Sequence, residues 1–175
     1  MTITVLRLGH RIVRDKRITT HVCLVARALG ADKIILSGQK DQNILDSINR
    51  VNINWGGSFK IEYKKRWKDT INEYKKKGFC LIHLTMYGEK IQDKINKIQK
   101  NDNLLVIVGG EKVPIEVYKE SDYNIGITNQ PHSEVAALAI FLDKYFNSKE
   151  LDLEFKGAKL KIKPNKLGKE FIYGS

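Results

Sequence analysis

LLVIVGGEKVP, Leu104 to Pro114, runs from an unbroken apolar segment through a glycine pair to a turn closed by proline. A strand that is apolar on both faces must be covered on both, which is the condition of a parallel sheet with helices on each side. FCLIHLT from Phe79 and YNIGIT from Tyr123 share this texture, and the three runs are expected to be the central strands. ITVLRL from Ile3, KIILSG from Lys33 and FKIEY from Phe59 are further strand candidates. Between them lie helical patterns. TTHVCLVARALG runs from Thr19 to a helix-stopping Gly30, and EKIQDKINKIQ sets Ile91, Ile95 and Ile98 on one face. This alternation predicts an α/β fold, a mainly parallel sheet with helices on both faces.

From Leu151 the texture changes. LDLEFKGAKLKIKP alternates apolar and charged residues around Lys156-Gly157, the pattern of an amphipathic hairpin with a tight turn. The expected organisation is a main domain over residues 1–148 and a C-terminal β-hairpin extension over 149–175. At 175 residues, 42% hydrophobic and 29% charged, the chain has the balance of a packed globular protein. No apolar run approaches the roughly 18 residues of a membrane helix, and the start lacks the apolar core of a signal peptide, so a cytoplasmic protein without membrane association is expected. Cys23 and Cys80 sit singly inside apolar runs, read as core thiols, and no metal site is expected.

Lys and Arg number 31 against 20 Asp and Glu, a net charge of +11. Such an excess favours polyanionic partners, nucleic acid among them. It is clustered. RLGHRIVRDKR, Arg7 to Arg17, holds five basic residues and one acid, and the stretch from Lys60 to Lys77 holds eight against three. The second cluster carries Tyr63, Trp67 and Tyr74, which either stack on exposed bases or anchor the core, the core role being the one expected of Trp67.

In an open α/β sheet, ligands bind beyond the carboxyl ends of the strands. The segments there are Leu84 to Gly88, Gly109 to Pro114 and Thr128 to Glu134. Gly109-Gly110 either lets a ligand approach the backbone or is a plain turn. Neither Gly-x-Gly-x-x-Gly nor a phosphate-binding Gly-x-x-x-x-Gly-Lys-Ser/Thr occurs, which excludes the common dinucleotide and NTPase readings. Pro131 or Ser133 is expected to start the last helix, leaving its first amides and Asn129 for a ligand or a cap. That helix places Val135, Leu138, Ala139, Leu142 and Tyr145 on one face, with Ala136, Ala137, Ile140 and Phe141 over much of the rest. A helix apolar nearly all round is buried on more than one side, so a homodimer through the helix from Val135 to Phe146 is expected, a helix sandwiched within one subunit being the alternative.

Three stretches together resemble a known family. RLGHRIVRDKRITTHVCLVARALGA from Arg7, VIVGGEKVP from Val106 and GITNQPHSEVAALAIFLD from Gly126 are similar to the archaeal tRNA cytidine 2′-O-methyltransferases of the SPOUT superfamily. The resemblance implies a C-terminal trefoil knot, a dimer, and methylation of the ribose of cytidine 56 in the tRNA T-loop with S-adenosylmethionine. It carries cofactor contact onto Leu84, onto Gly110, Glu111, Lys112, Val113 and Pro114, and onto Ile127, Thr128, Asn129, Gln130, Pro131, His132, Ser133 and Glu134. Relatives carry an Asn and an Arg on the first helix. This chain has no Asn there, so activation of the 2′-hydroxyl falls, in order of preference, to Arg17, Arg14, Arg11 and His21. The same cations could instead hold tRNA phosphates. Rival readings are an RNA-binding module without catalysis and a knotted enzyme acting on another tRNA nucleotide.

Overall fold

The computed structural model describes residues 1–110 and 112–174. Strands β1 (Thr2–His10), β2 (Lys33–Gly38), β3 (Lys60–Tyr63), β4 (Cys80–Lys90), β5 (Asn103–Val108) and β6 (Tyr123–Gly126) form one sheet in the order β3-β2-β1-β5-β4-β6. Every neighbouring pair is parallel. Helices α1 (Ile12–Ala28), α2 (Gln42–Trp55), α3 (Trp67–Lys76), α4 (Ile91–Ile98) and α5 (Ile115–Glu120) connect them, and α6 (Glu134–Phe146) follows β6.

Pleating sends alternate residues of each strand to opposite layers. Leu104, Val106 and Val108 of β5 join Val22, Ile44, Ile98 and Phe141 on one face, so α1, α2, α4 and α6 share that layer. Leu105 and Ile107 face the other way, toward Ile71 and Tyr74 of α3 and Val117 of α5. Helices therefore cover both faces. Cys23 is buried, its thiol pushed up to about 12 by desolvation, and half-buried Cys80 rises to about 11 for the same reason. Neither is a ready nucleophile at neutral pH.

Several expectations change. β6, expected among the central strands, lies at the edge, while β1 is central. Thr4 and Arg7 are buried on β1, and these polar residues hide its coverage on both sides. α1 begins at Ile12 rather than Thr19, because its first turns expose Val13, Lys16 and Arg17 to solvent and show no apolar stripe. On α6 the buried face is Ala137, Leu138, Phe141, Leu142 and Tyr145, while Val135 and Ala139 are only half-buried. The Lys156-Gly157 turn does not close the hairpin. Gly57 N donates to Lys156 O (2.8 Å), tying that turn to the end of α2. The hairpin follows as β7 (Leu160–Lys163) and β8 (Glu170–Tyr173), after a 3-10 turn over Lys149–Asp152.

Leu84 to Gly88, expected as a loop, lies inside β4 as a bulge: Ile125 pairs with both Leu84 and Glu89. A Cβ on Gly88 would lie 2.5 Å from the carbonyl oxygen of Asn124. Because that obstacle is backbone, Gly88→Ala is expected to destabilise by about 1–3 kcal/mol, read as a lower urea midpoint at unchanged slope.

Candidate functional site

β1 and β5 are neighbours whose following connections depart in opposite directions, β1 toward β2 and β5 over β4 toward β6. Such a switch point leaves a crevice at the carboxyl ends of the strands. Two cavities open there, and Gly110 lines both.

The first has a volume of about 290 Å³. It is lined by the middle of β4, from His83 to Tyr87, by Gly109, Gly110, Val113 and Tyr118, and by His132, Ser133, Glu134 and Ala137. A Cβ on Gly109 would lie 2.5 Å from Val113 Cγ2, so the loop folds back on itself closely enough to exclude a side chain. Ser133 starts α6, its hydroxyl accepting from Ala136 N (3.3 Å). Asn129 Nδ2 donates to Met86 O (2.6 Å) and Gly88 O (3.2 Å), pinning the chain after β6 to the bulge of β4. His83 is fully buried, its Nδ1 2.8 Å from Asn124 Oδ1, and its Nε2 has no partner among the described residues. Burial lowers its pKa, against the Asn124 hydrogen bond, so the neutral ring is favoured.

Arg7, inside β1, is the largest fully buried side chain among the described residues. Its Nη2 meets Glu134 Oε1 at 2.9 Å, and its Nη1 donates to Leu8 O. Burial holds its pKa below the ordinary value, while Glu134 and Asp15 pull it up. This pair joins β1 to the first turn of α6, where a carboxylate also faces the positive end of the helix dipole.

The second cavity, about 370 Å³, lies over the end of β1. Leu8 and Gly9 of β1, Arg11, Arg14 and Asp15 line it together with Trp67, Lys112 and Pro114. Gly9 has φ +63 and open space where a Cβ would stand, so glycine both permits the turn and keeps the cavity clear. Asp15 accepts from Arg11 Nε (2.9 Å) and Nη2 (3.2 Å), and these bonds hold its carboxyl below the usual value against burial. Behind this turn, His10 Nδ1 lies 2.9 Å from Thr19 Oγ1, and burial lowers the His10 pKa.

Of the residues expected to contact a cofactor, Leu84, Gly110, Val113, His132, Ser133 and Glu134 line the first cavity together. Lys112 and Pro114 face the second, and Glu111 lies outside the described residues. Ile127, Thr128, Asn129, Gln130 and Pro131 do not line it, and Asn129 spends its amide on the backbone. Arg14 and Arg11 stand at the second cavity, whereas Arg17 and His21 line a shallow depression with Val13 and Lys16 on the outward side of α1, an edge that Arg14 shares. Sequence reasoning missed Arg7, His83 and Tyr118. A lone cation or histidine in an apolar strand carries no spacing signal, although a charged residue in the middle of ITVLRL is itself a reason to look for a partner.

A family described as tRNA ribose 2′-O-methyltransferase, aTrm56, matches residues 55–172. Among curated relatives, a tRNA (cytidine(56)-2′-O)-methyltransferase of Methanosphaera stadtmanae is 53% identical over 97% of this chain and 98% of its own length. That of Methanocaldococcus jannaschii is 53% identical over 98% and 97%, respectively. The fold is that of a crystallised RNA 2′-O ribose methyltransferase (TM-score 0.64, 13% identity, 85% of this chain and 57% of that one). It is also that of an AdoMet-bound rRNA methyltransferase from Sinorhizobium meliloti (TM-score 0.62, 19% identity, 85% and 56%).

Proposed function

The chain belongs to the tRNA ribose 2′-O-methyltransferase family, and from that premise we propose that it methylates the ribose 2′-hydroxyl of cytidine 56 in the tRNA T-loop, using S-adenosylmethionine. The observation that carries this reading is a pair of cavities that meet at Gly110 at the switch point of a parallel sheet. One cavity suits the methyl donor and the other the acceptor. The residues present fit the cofactor: a cleft with a glycine-shaped backbone wall, apolar Leu84, Val113 and Ala137, the Tyr118 ring, and a buried His83 Nε2 still unpartnered among the described residues. Its volume of about 290 Å³ is near the lower end of small-molecule sites, about 300–1,000 Å³.

The cofactor supplies an electrophilic methyl group on a sulfonium. The protein's part is to hold the ribose oxygen in line and to stabilise the charge that grows on it. We assign that stabilisation to Arg14, which lines the acceptor cavity. The nucleotide's proton leaves to solvent or to a neighbouring base. Asn129 acts at a distance, holding the bulge of β4 that floors the donor cavity. The reading includes the family's trefoil knot and a dimer through α6, the dimer supported by Ile140 at 43% exposure and Val13 on adjacent α1 at 99%.

Calorimetric titration with S-adenosylmethionine tests the donor cavity. Wild-type protein is expected to bind at micromolar concentration, and Asn129→Ala about tenfold more weakly, for two lost hydrogen bonds of roughly 1 kcal/mol each, partly recovered by water. Nuclease digestion and mass analysis of treated tRNA then identifies the product, 2′-O-methylcytidine. Absence of binding heat at several temperatures would instead favour an RNA-binding module. A methylated base would leave a knotted enzyme with another target.

A further inference from the structure

The walls of the acceptor cavity say more than its position. Arg14 and Lys112 bring cationic side chains to a space walled by the Trp67 indole and the Pro114 ring. Cations beside an aromatic wall are the chemistry that takes a nucleotide, phosphate on one part and base on another. At about 370 Å³ the cavity is a pocket for a single residue rather than a groove for a helix, so a base enters it unstacked from its neighbours.

Trp67 opens α3, whose other anchors Ile71 and Tyr74 are buried at 1% and 5% exposure. It packs on the layer containing Leu6, Leu8 and Ile71 yet stays only partly buried, with Lys68 Nζ 5.4 Å from its ring centroid. Core packing alone accounts for one side of the indole, not for the side that lines the cavity. Lys68 Nζ also meets Glu116 Oε1 at 3.1 Å, bridging the start of α3 to the start of α5 just beyond Pro114. The indole is thereby held at a fixed station by its packing and by this bridge, the condition under which stacking needs little further ordering.

We propose that Trp67 is the stacking platform for the base of the acceptor nucleotide, extruded from the tRNA, with Lys112 taking a flanking phosphate and Arg14 left to the ribose oxygen. This rests on the methyltransferase reading above and adds which residue receives the base.

A spectroscopic handle exists because the chain has two tryptophans and the other, Trp55, lies by the C-terminal hairpin, 6.5 Å from the Phe171 ring. In Trp55→Phe protein all indole emission comes from Trp67. With S-adenosylhomocysteine present, this variant is titrated with unmodified tRNA transcript and with the same transcript lacking the base at position 56, while methyl transfer to intact tRNA is assayed in parallel. Intact tRNA is expected to quench the emission and the abasic transcript, which still binds through phosphates, to leave it largely unchanged. Trp67→Ala is expected to lower kcat/KM for tRNA about ten- to a hundredfold, with cofactor affinity unchanged and Trp67→Phe recovering most of the loss. Methyl transfer by Trp55→Phe protein together with equal emission in the two titrations would overturn the assignment of Trp67. No methyl transfer by wild-type protein would overturn the underlying enzyme reading instead, and the inference with it.

Discussion

Glu134→Ala is expected to destabilise the protein by about 3–5 kcal/mol, a large part of the total for a domain of this size. The cause lies less in the lost attraction than in what is left behind. Arg7 has a side chain only 2% exposed, against 19% for Glu134, and its Nε already lacks a partner among the described residues. Without the carboxylate, a guanidinium desolvated by the sheet keeps, among the described residues, the Leu8 carbonyl and the more distant Asp15 and Cys23. Replacing both residues by apolar ones of similar volume, Arg7→Met with Glu134→Leu, is expected to recover most of the stability, since that removes the burial of charge rather than its compensation. Urea denaturation of the two single variants and the double variant forms the cycle that measures the coupling. A change below about 1 kcal/mol in Glu134→Ala, the range of exposed pairs, would refute the claim that Arg7 depends on Glu134. The double variant carries a second expectation. Because the pair ties β1 to the first turn of α6 at the edge of the donor cavity, recovered stability should not bring back full cofactor affinity.

Arg14→Ala is expected to lower kcat by about 10²- to 10³-fold, the scale of removing one donor from a developing oxyanion, with cofactor binding intact. Arg14 belongs to both the acceptor cavity and the outward depression of α1, whereas Arg17 and His21 belong to the depression alone. Arg17→Ala and His21→Ala, measured beside it, separate two geometries. Loss confined to Arg14 places activation within one subunit. Loss confined to Arg17 would instead put the activating cation on the outward face of α1, where a second subunit must bring it to the acceptor, and would overturn the assignment. Loss in KM alone, equal for all three and steeply dependent on salt, would mark them as phosphate contacts.

Much of the acceptor cluster was visible as a motif. RLGHRIVRDKR announces charge, and Gly109-Gly110 announces a close backbone approach, both from side-chain chemistry alone. What each cation touches was not visible. In the Lys60 to Lys77 cluster, Lys64 and Lys77 pair with Glu73, Lys75 with Glu120 and Lys68 with Glu116, so part of what reads as an RNA-binding surface is neutralised within the fold. Tyr74 likewise went to the core, edge-on to Phe79. Sequence proximity of charges does not say which of them acids from other elements will reach.

The amino-acid sequence by itself determined the alternation of strands and helices, the turns after β5 and β6 and the motifs of the family, because local periodicity, glycine and proline sterics and side-chain chemistry act over a few residues. The tertiary structure decided that β1 is central and β6 peripheral, that Asn129 locks the β4 bulge, that Arg7 pairs with Glu134, and that Trp67 and Arg14 line one cavity. Each of these joins residues far apart in the chain. Such pairings follow from which layers can pack together at least cost in buried polarity, and that is a property of the whole fold rather than of any segment.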